Sequence, residues 1–188
     1  TFHDDLEKVK QMGVVLAETP PHDAERIRMG DVDVEALREA LRQYGVQLPS
    51  QWAVAVQDHG FAPGRSNREA RFEWFRQFME SGGALEDLAF LEVPELFTRM
   101  LSVKRILPDA LLMDTGPAAV MGALLDETVR SHAQKGVLIA NAGNFHLMCA
   151  LVRGERVLGL LEHHTGMLKR GKIMDIIDRF RNKAISHS

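Results

Sequence analysis

Residues 136–166, GVLIANAGNFHLMCALVRGERVLGLLEHHTG, constrain this chain more than any other stretch. Residues 137–140 are continuously apolar, an apolar run resumes over 145–152 after Asn141-Ala142-Gly143-Asn144, and a third covers 157–161 after Arg153-Gly154-Glu155. Apolar runs of this length, bounded by glycine-bearing turns, predict short strands rather than helices. Such short connections join antiparallel neighbours, so a three-strand meander is expected. Polar residues gather at its two openings, the bend before the second strand and Glu162-His163-His164-Thr165-Gly166 after the third.

The preceding chain alternates helix and strand signals. Residues 4–12 read as a short helix closed by Gly13, and 14–17 as a short strand. Asp33 is placed to cap a helix whose apolar face is Val34, Leu37, Leu41 and Tyr44, ending at Gly45. WAVAV at 52–56 is a buried-strand pattern and runs directly into Gln57-Asp58-His59-Gly60. Ser66 and Glu69 have capping-box spacing ahead of the stripe Phe72, Phe75, Phe78 and Met79. Pro94 opens a helix with Phe97, Met100, Leu101 and Leu107 as its core face. Residues 110–113 form another strand, and Asp114-Thr115-Gly116-Pro117 turns it into a helix burying Val120, Met121, Leu124, Leu125 and Val129. A last helix carries Ile173, Ile176, Ile177 and Phe180 on one face. The pattern predicts an α/β protein, a mixed sheet flanked by helices, mostly parallel through residue 114 and antiparallel after it. Ligands of open α/β sheets bind beyond the C-terminal strand ends, which selects Asp58-His59, Asp114-Thr115-Gly116 and Asn141.

Composition excludes several alternatives. The 188 residues are 45% apolar and 26% charged, enough for a packed globular core. The net charge is −3 with no basic stripe, so nucleic acid is not an indicated partner. No apolar run approaches the roughly 20 residues of a membrane span, and no signal-peptide pattern is present, which makes a cytoplasmic protein the default expectation. Cys149 is the single cysteine. An internal disulfide and a multi-cysteine zinc or iron–sulfur site are therefore out of reach, and Cys149 is expected to pack as a small hydrophobe. The chain starts in a helix-like polar segment and stops just after another, the pattern of a piece of a longer protein.

Two motifs carry a resemblance. TGPAAVMG at 115–122 resembles the Pro-x-Ala-Ala helix that joins the two lobes in the actin, heat-shock chaperone and sugar-kinase ATPase superfamily. VLIANAGN at 137–144 resembles the hairpin that follows it there, whose bend holds metal and phosphate. The resemblance implies incomplete, ribonuclease H-like lobes: residues 1–130 as the late part of the first, and 131–188 as the start of the second. It also implies a cleft for a nucleotide with Mg²⁺, or another small phosphorylated ligand, built from Asp114, Thr115, Gly116, Asn141, Gly143 and Asn144, with Asp58, His59 and His146 nearby. In addition, VQDHGFAPG, MDTGPAAVMGAL and EHHTG resemble a bacterial and archaeal family of unknown function labelled pyruvate formate-lyase activating enzyme, over most of residues 50–166.

The residues leave other readings open. Asp58 and Glu162 are candidate general acid–base carboxylates. His59, His146 and His163 are residue types that bind a divalent transition metal, which would give a metal-dependent, hydrolase-like site. His163 and His164 must point to opposite faces of a strand, so only one can aim inward. Against these stand plainer roles: a helix N-cap for Asp114 or Thr115, a simple turn at 141–144, histidines that order a strand end. A non-catalytic domain of a partner-binding parent is the third reading.

Overall fold

The computed structural model describes residues 6–11, 13–25, 30–143, 146–164 and 170–183. In chain order the first elements are α1 (Leu6–Gln11), α2 (Val34–Arg42), β1 (Ala53–Ala55), α3 (Asn67–Glu80), β2 (Ala89–Phe90), α4 (Thr98–Ile106) and β3 (Leu111–Met113). There follow α5 (Thr115–Ala123), α6 (Glu127–Ala133), β4 (Val137–Ala142), β5 (His146–Arg153), β6 (Arg156–His164) and α7 (Arg170–Arg181). They make two compact units, residues 1–72 with 90–113, and residues 73–89 with 114–188. This is a mixed α/β architecture of small sheets flanked by helices. Among the described residues, no helix is long and apolar enough to cross a membrane.

In the first unit β1 and β3 pair in parallel, Ala53 opposite Leu111 and Ala55 opposite Met113, with β2 on the other side of β3. Val56, Phe97, Met100, Val103 and Leu112 are buried. Three expectations change here. Residues 14–17 form no strand, and Val15 is 88% exposed. The helix expected from Pro94 begins only at Thr98, because the Pro94 carbonyl closes a turn with Phe97 N–H at 3.0 Å. Helix α2 forms where predicted, with Asp33 accepting from Ala36 N–H at 3.1 Å, yet buries none of its residues. Local capping and the Glu35–Arg38 and Glu39–Arg42 pairs support that helix, whereas Leu37 and Tyr44 of its apolar face stay exposed.

The second unit is built on the predicted meander. Strand β5 is central, pairing antiparallel with β4 and with β6. One sheet face carries Leu147, Cys149 and Leu161, buried together with Ile176 of α7, while Ile173, Ile177 and Phe180 complete the packing. The apolar stripe read for the last helix is thus the one that packs. Residues 83–85 run along β6: Val157 N–H donates to Gly83 O at 2.8 Å, and Leu85 N–H to Glu155 O at 2.9 Å. The expected helix after Asp114 divides in two. Asp126 Oδ1 accepts from Thr128 N–H (2.9 Å) and Val129 N–H (3.1 Å), capping α6 and leaving Leu125 80% exposed instead of in the core. A good N-cap within the run started a new helix. Asn141 lies inside β4, not in the bend, because its backbone pairs with Met148.

Two stability predictions follow from these contacts. Gly83 has φ +62°, and a Cβ there would collide with the Val157 carbonyl. Gly83→Ala should cost about 2–4 kcal/mol in urea unfolding, while Gly154→Ala, at φ +60° in open space, should cost about 1 kcal/mol. Equal costs would remove the collision as the cause. Burial pushes the Cys149 thiol up from 9.0 to about 11. The unfolded chain therefore loses this proton first, so the stability is present below about pH 9 and falls as pH rises towards about 11. Cys149→Ala should flatten that part of the stability–pH curve, and an unchanged slope would assign it to other groups.

Candidate functional site

Helix α5 starts against the face of the meander opposite α7. Asp114 is its N-cap, 7% exposed, with Oδ1 accepting from Gly116 N–H at 2.9 Å. A Cβ built on Gly116 would collide with Met148 Sδ and would lie 3.4 Å from Asp114 Oδ1. The first turn of α5 and its capping carboxylate therefore meet the sheet at Met148. Register then names the neighbours: Asn141 of β4 stands on one side of Met148 and Glu162 of β6 on the other. Alternation along β5 puts His146 on the same face, two residues away. Asn141, Glu162 and His146 are half-buried, whereas Thr115 and Gly143 are exposed. The arrangement is a polar row, Asn141–Met148–Glu162, with a buried aspartate at its middle and an open rim.

The bend beside this row closes through Gly143 N–H donating to the His146 carbonyl at 2.8 Å. Asn144 lies outside the described residues. His163 stands opposite Leu147 in the register, so it belongs to the α7 face, away from His146. The metal triad expected of His59, His146 and His163 is therefore divided. His146 and His163 occupy opposite faces, because neighbouring positions along a strand alternate, and His59 belongs to the first unit. His164, not His163, is the residue across from His146 in the register. Among the described residues, no group of three or more histidine, cysteine, aspartate or glutamate side chains could hold a metal ion.

Asp58 has a different employment. It is 2% exposed, in the loop after β1. Its Oδ2 accepts from Arg99 N–H at 2.8 Å and Met100 N–H at 3.0 Å, and its Oδ1 from Gly60 N–H at 2.9 Å. Arg99 and Met100 are in the first turn of α4, whose own N-cap, Phe97, has no side-chain acceptor to offer. Asp58 thus caps a helix 41 residues away in sequence. The buried Arg71 guanidinium donates to the Asp58 carbonyl, and Arg99 in turn forks onto Asp31. His59, next to this network, lies with Nε2 3.2 Å from the Gln57 side-chain nitrogen.

Of the expected site residues, Asp114, Gly116, Asn141, Glu162 and His146 come to one face, with Thr115 and Gly143 at its edge. Asp58 and His59 belong to the other unit, and His163 to the other side of the sheet. Sequence reading missed Met148, which sits at the centre of the row. Its signal was available in the two-residue alternation with His146, but it was masked by a strand apolar on both faces.

A family model described as "Putative pyruvate format-lyase activating enzyme (DUF1786)" matches residues 1–188. No curated protein and no solved structure matches the chain.

The capping geometry predicts that Asp58→Ala destabilises the first unit by about 2–4 kcal/mol, because two α4 N–H groups, one buried and one half-buried, lose their acceptor. Asp58→Asn keeps one acceptor oxygen and should cost about half as much. Urea denaturation checks both, and a neutral Asp58→Ala would show that α4 does not depend on this carboxylate.

Proposed function

The chain belongs to that family, and from this premise we propose that it binds a magnesium-coordinated phosphate ligand, of nucleotide class, on the α5 face of its second unit. The observation that carries the reading is the approach of Gly116 to Met148, which brings the Asp114 carboxylate against the row holding Asn141 and Glu162. Two carboxylates and a carboxamide oxygen are hard donors that suit Mg²⁺, which keeps several waters and takes one or two protein carboxylates plus phosphate oxygens. A bare anion suits the place less well. Gly116 N–H is already engaged by Asp114, Pro117 has no N–H, and Ala118 N–H donates to the Asp114 carbonyl at 2.9 Å. The cation is what reconciles phosphate with this acidic helix start.

The order β3, α5, α6, then an antiparallel meander supports an actin-like ATPase type of chain, in which α5 would be the connecting helix and β4–β5 the phosphate hairpin. The pattern differs in one respect. Asn141 stands where that hairpin has an acid, and Asp114 and Glu162 supply the charge instead. Where a water attacked the phosphate, Glu162 would be the carboxylate to take its proton, reaching the cation only through a bound water, while Asp58 serves by holding α4 and the loop that bears His59. The activating-enzyme name in the family description points to iron–sulfur chemistry, which needs several cysteine thiolates. This chain supplies one, buried on the α7 face, so its residues do not fit such a cluster.

Thermal unfolding tests the proposal with ADP, ATP or inorganic phosphate, each with Mg²⁺ or with EDTA. At about 100 times Kd, a Mg²⁺–nucleotide complex should add roughly 2.7 kcal/mol and raise Tm by several degrees. Glu162→Gln and Asp114→Asn should abolish the magnesium-dependent part, and Asp114→Asn should do so with little loss of basal stability, because asparagine caps a helix about as well. A shift that persists in EDTA, or the absence of any shift, would count against the site.

A further inference from the structure

A cavity of about 410 Å³ lies within the first unit, between α2 and the segment that leads into β1. Its apolar wall is Val34, Val46, Leu48, Pro49 and Trp52. The volume is in the range of small-molecule sites, and the cavity is open, with Arg38, Arg42, Val46, Gln47 and Pro49 exposed along it. Trp52 is half-buried, and its carbonyl accepts from Leu111 N–H at 2.9 Å beside the β1–β3 ladder. Its indole and the Pro49 ring both line the cavity.

The polar part of the lining is dominated by one sign of charge. Arg38 and Arg42 line the cavity from the same helical row as Val34, at four-residue spacing. Each guanidinium rests on a glutamate three residues back, Arg38 on Glu35 and Arg42 on Glu39 through two bonds of 2.9 and 3.1 Å. These pairs are mostly exposed, with Arg42 at 75% and Glu39 at 59%. Exposed pairs contribute little, so an incoming anion can take the guanidinium forks at small loss. A cationic ligand would face two guanidiniums, and a neutral one would leave both unused.

We infer that this cavity binds a small organic anion, with an aromatic body against Trp52 and Pro49 and its negative group on Arg38 and Arg42. The site is separate from the phosphate face of the second unit and stands or falls independently of it. Fluorescence titration of the whole chain tests it with anilinonaphthalene sulfonate, an aromatic anion, and phenylnaphthylamine, its uncharged counterpart. The anion should bind about tenfold more tightly, the difference one charge-assisted contact makes. In the double variant R38Q/R42Q that preference should vanish while the neutral probe binds as before. Val46→Asp, a change at a position 50% exposed and therefore tolerated by the fold, should weaken both probes. Equal affinity of the two probes for the unaltered chain, a preference that survives R38Q/R42Q, or binding indifferent to Val46→Asp would each overturn the inference. Circular dichroism of both variants distinguishes loss of the site from loss of the fold.

Discussion

The second unit depends on how closely α5 can approach the sheet. Gly116 has no side chain, and Met148 Sδ fills the place a Cβ would take. That contact lies beside the Asp114 carboxylate, a residue only 7% exposed. It also assigns the two faces of the sheet. One is closed by α7 over the buried cluster Leu147, Cys149 and Leu161, with His163 beside Leu147 at its end. The other begins apolar, at Ile139 and Ala150, and turns polar towards the Asn141–Met148–Glu162 row. A single strand, β5, therefore contributes to a core on one side and to a candidate ligand surface on the other, by the two-residue alternation of its side chains.

Helix starts account for several of the acidic residues. The first N–H groups of a helix have no partner within it, and a short carboxylate is an efficient acceptor. Asp33, Asp114 and Asp126 cap their own helices, and Asp58 caps α4 from a distant loop. The same residue type that suggests catalysis in a sequence is thus largely structural here. Asp58 turns both oxygens to backbone donors around the start of α4, and Asp114 Oδ1 accepts from Gly116 N–H at the start of α5.

Much of the architecture was legible before any coordinates. The meander, the parallel β1–β3 pair, the cap of α2 and the packing stripe of α7 all follow from local periodicity and turn residues. The errors have a common cause. Residues 14–17 looked like a strand and Leu37 and Tyr44 like a core face, yet all are exposed among the described residues, and periodicity does not report whether a partner surface exists. The run after Asp114 looked like one helix because its apolar spacing continues past Asp126, which caps α6. For the candidate site, the sequence named several segments and left their grouping open. His146 and His163 look equivalent in a list of histidines, and only register separates them.

What the sequence determined by itself is the set of local elements, since caps, turns and apolar periods act over a few residues. It also determined the limits on chemistry: one cysteine, no basic stripe, and two clusters of polar residues at strand ends. Tertiary structure decided which of those polar residues meet. Strand register placed Asn141 and Glu162 on either side of Met148 and sent His163 to the opposite face, and a long-range hydrogen bond made a helix cap of Asp58. The physical reason is that side-chain direction in a sheet reverses with each residue, so a shift of one position exchanges a core face for a site face. The satisfaction of a buried N–H, likewise, is indifferent to how far along the chain its acceptor lies.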